Sequence, residues 1–200
     1  MNLTLVQEDA LKEIINIGVG KAASMLGEMI EMKINLNVPY IKIIMINELG
    51  YELEKLSEDK LAYVKLDFRG SFSGTAMMVF PADSASKLVS VLTGEEEGSL
   101  DLDALRIGTL TEIGNIVING VMGSIGNILN NQIDYALPEY LEGTGVNTIN
   151  TIKVDIYATI LLAETHFKIE QLDIEGNIIL LFELSSFGEL VKAIDRLTQE

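Results

Sequence analysis

The stretch 11–30, LKEIINIGVGKAASMLGEMI, decides the fold because the chain contains it twice. Its second copy is 110–129, LTEIGNIVINGVMGSIGNIL, which begins 99 positions later (110 minus 11). Beyond their first residue, Leu11 and Leu110, the copies share five residues: Glu13 aligns with Glu112, Ile14 with Ile113, Asn16 with Asn115, Ile17 with Ile116 and Gly27 with Gly126. Self-similarity at a fixed distance indicates a repeated structural unit. We therefore interpret the chain as two halves that share one order of elements.

The repeat continues beyond the helical stretch. The same shift places Pro39 on Pro138, and a shift of 102 places Gly74 on Gly176 and Phe80 on Phe182. Each half is predicted to form a long amphipathic helix, a short strand that ends at the proline, two longer strands and a closing helix. In the first half the long helix, the two longer strands and the closing helix are predicted at 8–30, 60–68, 75–80 and 82–92; in the second half they are predicted at 103–130, 152–163, 177–184 and 186–197. Asp83 in one half and Ser185 or Ser186 in the other are predicted to cap the closing helices.

The joint between the halves is short and acidic. It spans 93–103, TGEEEGSLDLD, and is too short to separate independent domains. We therefore expect residues 1–200 to form a single domain made of two homologous halves, about 1–94 and 103–200. The expected fold class is α/β (α+β) with pseudo-two-fold internal duplication, in which both halves contribute strands to a central sheet covered by the helices.

Composition excludes several classes of function. The chain has 200 residues, 30 of them acidic and 14 basic, which gives a formal net charge of −16. Nucleic acids and anionic membranes are bound through clustered Lys and Arg, so neither is an expected partner. Without any Cys, disulfides, thiolate nucleophiles and cysteine-bound metals are excluded. The one His, His166, would have to serve any Ser–His catalysis, and we predict for it a strand-to-turn position with no such role.

The sequence also predicts where the protein works. No apolar stretch approaches the roughly 20 residues that a membrane span needs, so no membrane insertion is expected. The amino-terminal segment MNLTLVQEDALKE lacks the basic region and apolar run of a signal peptide. We therefore expect a cytoplasmic protein. Any catalysis would depend on carboxylates, amides and hydroxyls.

Each long helix is predicted to present a Glu and an Asn on one exposed face. With about 100° per residue, Asp9, Glu13, Asn16 and Gly20 fall within a sector of about 60°. The apolar residues expected on the opposite face are Leu11, Ile14, Ile15, Met25 and Leu26. In the second helix Glu112 and Asn115 share a face, with Asn119 one turn further on, and the expected buried stripe is Leu110, Val117, Val121 and Ile125.

Two interpretations of this face stay open at the level of residues. A Glu and an Asn on the wet side of an amphipathic helix are ordinary, and shared descent could preserve them without any use. Against this, Asn is a poor helix former, and the pair recurs at the same depth in both helices.

The helical glycines leave a similar choice. They are Gly18, Gly20, Gly120, Gly123 and Gly126, and each costs about 1 kcal/mol relative to Ala in a helix interior. Close packing against neighbouring elements explains most of them best. The alternative for Gly20 is that it lets a partner's backbone approach the Glu–Asn face.

The duplicated pattern resembles the CheC family of bacterial chemotaxis phosphatases, which includes CheX and the phosphatase portion of FliY. The residues that carry the resemblance are Asp9, Glu13 and Asn16 in DALKEIINIGVGKAA, repeated as Glu112 and Asn115 in LTEIGNI. The resemblance implies hydrolysis of the aspartyl phosphate of the response regulator CheY. It also implies that this chain needs no cofactor or metal of its own, since Mg²⁺ would come bound to the partner.

The resemblance further implies roles for individual residues. Glu13 and Glu112 would each pair with the Lys in the regulator's active site, and Asn16 and Asn115 would each hold a water in line with phosphorus. Asp9 and Gly20 would contribute to partner binding. The position equivalent to Asp9 in the second copy is Gly108, which predicts a different or weaker docking there. The alternative function is a non-catalytic chemotaxis adaptor that binds CheD, phosphorylated CheY or the flagellar switch.

Overall fold

The structure, a computed structural model, describes residues 3–36, 40–55, 60–95, 102–144, 159–183 and 187–198. The helices in these ranges are α1 (Leu5–Ile30), α2 (Leu49–Glu54), α3 (Ala82–Thr93), α4 (Leu102–Ile128) and α5 (Phe187–Thr198). The strands are β1 (Asn35–Leu36), β2 (Tyr40–Met45), β3 (Leu61–Gly70), β4 (Gly74–Pro81), β5 (Ile133–Tyr135), β6 (Glu139–Gly143), β7 (Thr159–Ile169) and β8 (Ile174–Glu183). The mixed α/β class predicted from the sequence is confirmed.

All eight strands form one antiparallel sheet in which the two halves of the chain interlock. The strand order is β1-β7-β8-β4-β3-β5, with β2 also on β7 and β6 also on β3. The short strands of each half therefore pair with the first long strand of the other half, and β4 and β8 meet at the centre. The order is palindromic, as two similar halves would make it. Descent from a duplication, and the division into halves, remain predictions.

The long helices lie together on one face of the sheet. α1 packs against α4, and α4 also contacts α3, β3 and β4, while α5 contacts α1. The main hydrophobic core lies between these helices and the sheet. Both predicted buried stripes are correct apart from Met25, which is half-buried: Leu11, Ile14, Ile15 and Leu26 of α1, and Leu110, Val117, Val121 and Ile125 of α4, are buried.

Two glycines let α1 and α4 approach each other closely. A Cβ atom at Gly18 would lie 2.9 Å from the carbonyl oxygen of Val121, and one at Gly120 would lie 3.1 Å from the sulfur of Met25. Close helix packing therefore explains these two residues, as predicted. Residues later in α1 contact residues earlier in α4, so the two helices are antiparallel.

Gly126 lies both at a helix end and in close contact with β5, because a Cβ there would lie 3.2 Å from Cδ1 of Ile133. It lies at the end of α4, where Asn130 adopts a left-handed backbone with φ 52° and the amide of Asn131 donates to the carbonyl of Gly126 at 2.9 Å. A Cβ at Gly126 would lie 3.0 Å from the carbonyl oxygen of Asn131. α1 ends in the same way at Gly27, so the repeated glycine belongs to a repeated helix termination.

Several elements differ from the prediction. The strands β2 and β6 and the helix α2 were not predicted; β6 begins directly after Pro138, while Pro39 lies outside the described residues. Asp83 does not cap α3: the N-cap residue is Pro81, with no side-chain hydrogen bond, and Asp83 lies in the first turn. Ser185 and Ser186, proposed as caps for α5, lie outside the described residues.

The strand predicted at 152–163 ends later than predicted, at Ile169. β7 is described from Thr159 to Ile169, and residues 152–158 lie outside the described ranges. His166 is therefore within a strand and not at a strand-to-turn junction. It is half-buried, and its Nδ1 lies 3.3 Å from Oδ1 of Asn177 on β8. An amide partner of this kind does not make the imidazole a general base for a serine.

None of the helices in the described ranges is long and apolar enough to span a membrane.

Candidate functional site

A capping box fixes the start of α1. The amide of Gln7 donates to Oγ1 of Thr4 at 3.3 Å, and the amide of Thr4 donates to Oε1 of Gln7 at 3.0 Å. The side chain of Gln7 also donates to Asp195 of α5 at 2.8 Å. Because these bonds bind the first turn to α5 while the apolar stripe binds the sheet, the rotation of α1 about its axis is set.

This rotation places the predicted site residues of α1 on its outer face. Asp9 and Glu13 are exposed, and Asn16 and Gly20, one and two turns beyond Glu13, are half-buried. We call these four residues site one. A Cβ at Gly20 would meet no heavy atom within 4 Å, so Gly20 is not required for packing within this chain.

The second copy of the pattern lies on α4. Glu112 is exposed and Asn115 half-buried, as Glu13 and Asn16 are in α1. We call this pair site two. Gly114 holds α4 close to the sheet, because a Cβ there would lie 2.6 Å from Val64 of β3. Gly108, which stands where α1 has Asp9, is exposed and has open space around it.

Both site carboxylates are available to an external cation. In the part of the chain that the structure describes, neither Glu13 nor Glu112 has a hydrogen-bond or ion-pair partner. The neighbouring base Lys12 is already held by Glu8, with Nζ 2.7 Å from Oε1. That bond to Glu8, together with the charge of Asp9, raises the pKa of Lys12. A partner's cation therefore does not have to displace an internal one.

The two asparagines differ in their immediate surroundings. Nδ2 of Asn119 donates a hydrogen bond of 2.8 Å to Oδ1 of Asn115. In α1 the equivalent position is Gly20, and within the described ranges the side chain of Asn16 has no hydrogen-bond partner. The sequence placed Asn119 one turn beyond Asn115 but gave it no role. Its four-residue spacing from Asn115 on a helix was the available signal.

The two sites are separate. On α4, Asn115 lies between Ile113 and Gly120. Gly120 lies against Met25 of α1, and Ile113 lines a surface groove together with Met29 of α1. Asn115 is therefore level with the stretch of α1 between these methionines. That stretch begins nine residues beyond Asn16 (25 minus 16), which is roughly 14 Å along the helix axis at 1.5 Å per residue.

An apolar groove borders site two. Its volume is about 620 Å³, and its lining residues are Met29, Leu92, Ala104, Leu105, Gly108, Thr109, Glu112 and Ile113. The groove was not predicted from the sequence, which gave no role to the exposed Leu105 in the first turns of α4.

Over the described ranges, no three carboxylate or imidazole side chains come together as candidate metal ligands. The expectation that Mg²⁺ comes with a partner is a separate matter and stays a prediction.

Comparisons with known proteins relate the chain to named chemotaxis proteins. The profile described as "Chemotaxis phosphatase CheX" matches residues 62–157, and the profile described as "CheC-like family" matches residues 6–43, which include site one. The protein named CheY-P phosphatase CheC from Bacillus subtilis is 24% identical over 196 residues, which cover 94% of this chain and 93% of that protein. The chain is therefore similar in sequence to the proteins named CheC and CheX.

Solved structures share the fold of this chain. The crystal structure of Thermotoga maritima FliY superposes with a TM-score of 0.78 at 15% identity, over 98% of this chain and 100% of that one. The CheX of Borrelia burgdorferi, solved as a CheX–CheY–BeF3–Mg complex, superposes with a TM-score of 0.55 at 18% identity, over 83% of this chain and 96% of that one. At these identities the likenesses show the fold alone.

Proposed function

We propose that this chain is a CheC-type phosphatase that hydrolyses the aspartyl phosphate of the response regulator CheY. The observation that carries the proposal is the pair of unpartnered carboxylates, Glu13 and Glu112, each with an Asn three residues further on the same helix face. The similarity to CheC supports a substrate class for this surface, because the Bacillus subtilis relative is named a CheY-P phosphatase. The similar fold from Borrelia burgdorferi was solved with CheY.

The glutamates dock the regulator. Each carboxylate accepts charge-assisted hydrogen bonds from the Lys in the regulator's active site, and such bonds are about twice as strong as neutral ones. Both carboxylates are exposed and free of internal partners, so docking does not require an ion pair within this chain to break. Asp9 adds a second negative charge one turn before Glu13, and Gly20 leaves room for the partner beyond Asn16.

The asparagines position the attacking water. Asn16 and Asn115 lie one turn from the docking glutamate, so a docked regulator brings its phosphoryl group to the amide. The amide holds a water in line with phosphorus; the bond from water oxygen to phosphorus forms as the bond to the aspartyl oxygen breaks. The products are inorganic phosphate and the free aspartate carboxylate, and the water proton leaves with phosphate and solvent.

Chemistry of this kind does not need a strong base. An acyl phosphate is already activated, and phosphoryl transfer depends mainly on positioning and on stabilisation of charge. Mg²⁺ bound to the regulator supplies the charge stabilisation, and the amide supplies the position. Because a carboxamide does not titrate near neutrality, the rate constant at saturation is expected to vary little between about pH 6.5 and 8, apart from effects of the regulator itself.

Phosphate release from phosphorylated CheY tests the proposal. The intact chain is expected to accelerate release above the rate of CheY alone. Glu13→Gln and Glu112→Gln are expected mainly to raise KM, and Asn16→Ala and Asn115→Ala mainly to lower kcat. Asn127→Ala is the matched control, because Asn127 is an exposed asparagine of α4 outside both sites, and it is expected to leave both constants unchanged.

The same assay separates the phosphatase from the adaptor. Tight binding of phosphorylated CheY without accelerated phosphate release would contradict the phosphatase and favour a non-catalytic role. Adding CheD to a parallel reaction tests whether that protein binds and changes the rate. A chain that neither binds nor dephosphorylates CheY would leave the duplicated Glu–Asn pair unused.

A further inference from the structure

We infer that Asn119 is a positioning residue for site two, and that its absence from site one makes the two sites unequal. The inference rests on the proposed function and concerns how Asn115 is held. Its central observation is the 2.8 Å hydrogen bond from Nδ2 of Asn119 to Oδ1 of Asn115.

The bond restrains the side chain that positions the water. Asn119 lies four residues beyond Asn115, so the two amides are neighbours on one face of α4. The bond fixes the rotation of the Asn115 amide before any partner arrives. An amide oxygen has two lone pairs, so Oδ1 of Asn115 can accept from Asn119 and from a water together. The restrained amide therefore keeps its capacity to hold the water.

Stability does not explain why an asparagine stands at position 119. Its Oδ1 atom is buried and has no hydrogen-bond partner in the described part of the chain. An unsatisfied buried amide oxygen destabilises a folded protein, and Asn is also a poor residue for a helix interior. Asn119 therefore lowers the stability of the fold. Its hydrogen bond to Asn115 gives a reason for an asparagine at this position despite that cost.

Site one shows the same helix face without this residue. Gly20 occupies the equivalent position, and Asn16 has no partner for its side chain within the described ranges. A docked regulator would therefore have to order the amide of Asn16 itself. Ordering one flexible side chain on binding corresponds to a factor of about two to ten in rate. We expect site two to turn over faster than site one by this factor.

Reciprocal substitutions test the inference in chains that each keep one site. Asn16→Ala leaves site two alone and Asn115→Ala leaves site one alone. In the first chain, Asn119→Gly is expected to lower kcat about two- to tenfold with KM unchanged. In the second, Gly20→Asn is expected to raise kcat by a similar factor. The added side chain has room within this chain, because a Cβ at Gly20 would meet nothing within 4 Å, and any contact with the docked partner would change KM, which is measured separately from kcat.

Asn119→Asp distinguishes positioning from simple filling of space. The carboxylate has the shape of the amide but cannot donate, so it can only accept from Asn115 and holds that amide turned the other way. If Asn119 positions the amide of Asn115, kcat of Asn119→Asp falls as it does in Asn119→Gly. If Asn119 only fills space, kcat of Asn119→Asp stays near the parent value. Thermal unfolding of each variant shows whether the fold is retained.

The outcomes separate the inference from the proposed function. If the chain with Asn16→Ala is active and both Asn119 variants keep its kcat, the positioning role is wrong and the phosphatase stands. If that chain is inactive while its fold is intact, the proposed function fails at site two and the inference fails with it. An unchanged kcat in the Gly20→Asn chain would contradict the claimed inequality of the sites.

Discussion

Gly114 of α4 lies directly against Val64 of β3: a Cβ atom at Gly114 would be 2.6 Å from Cβ and from Cγ1 of that valine. Real side chains do not approach this closely, so any larger residue at 114 must push α4 away from the sheet. Since Gly114 is buried beside Asn115, the contact sets the depth at which site two stands on the molecular surface.

Replacing this glycine is expected to affect both stability and activity. Gly114→Ala overfills the contact with Val64 and is expected to lower the free energy of unfolding by about 1–3 kcal/mol. The shift of α4 is also expected to lower kcat at site two, measured in the chain that carries Asn16→Ala. Gly123→Ala is the control. It lies on the same helix with nothing within 4 Å of its added Cβ, and should gain up to about 1 kcal/mol. A Gly114→Ala protein as stable as the parent would contradict the packing.

The exchange of Asp9 and Gly108 tests how the acidic position contributes to docking. In the chain that keeps site one, Asp9→Gly is expected to raise KM for phosphorylated CheY and leave kcat unchanged. In the chain that keeps site two, Gly108→Asp is expected to lower KM, because Gly108 is exposed with room for a side chain. A surface charge of this kind corresponds to a factor of about two to five. Both effects should weaken as salt is raised. Equal KM values in parent and variants would show that the charge makes no contact with the partner.

Glu164 on β7 predicts a pH-dependent stability. Burial raises the pKa of Glu164, and the nearby Glu52 raises it further, while His166 and Lys55 act in the opposite direction. The folded state therefore holds this proton more tightly than the unfolded state does. The resulting stabilisation is complete below the ordinary glutamate pKa and is lost as pH rises through the raised value.

Glu164→Gln, which does not titrate, is therefore expected to be more stable than the parent at pH 7.5, with a difference that shrinks toward pH 4.5. Because the group is partly exposed, we expect at most about 1 kcal/mol, or a rise in Tm of roughly 2–4 °C. Thermal unfolding across this pH range measures it, with Glu54→Gln on the exposed side of α2 as control. A lower Tm at pH 7.5 would contradict the sign.

Local patterns predicted the parts of the fold that repeat along the chain. The long helices follow from apolar periodicity, and the exposed position of Glu13 and Glu112 follows from the same periodicity, because a helix turns by a constant angle. The closing helices were predicted to within a residue or two, for the same reason.

Long-range pairing could not be predicted in this way. The exchange of short strands between the halves, with β2 on β7 and β6 on β3, depends on contacts across more than 70 residues (159 minus 45, and 139 minus 65). β2 contains the run IKII, which indicates a strand, but the sequence pattern does not show which strand β2 pairs with. The bond between Asn119 and Asn115 needed side-chain conformations, which a sequence pattern does not give.

The central claim is that Asn16 and Asn115 hold the attacking water, and one measurement tests it most directly. Phosphorylated CheY is mixed with saturating protein and Mg²⁺, and the rate constant of phosphate loss is compared between the parent chain and Asn16→Ala/Asn115→Ala. By analogy with other preorganised sites, the double variant is expected to lose about 10²–10³ in rate while it keeps its fold and its binding of CheY. An unchanged rate constant in a folded double variant would contradict the mechanism.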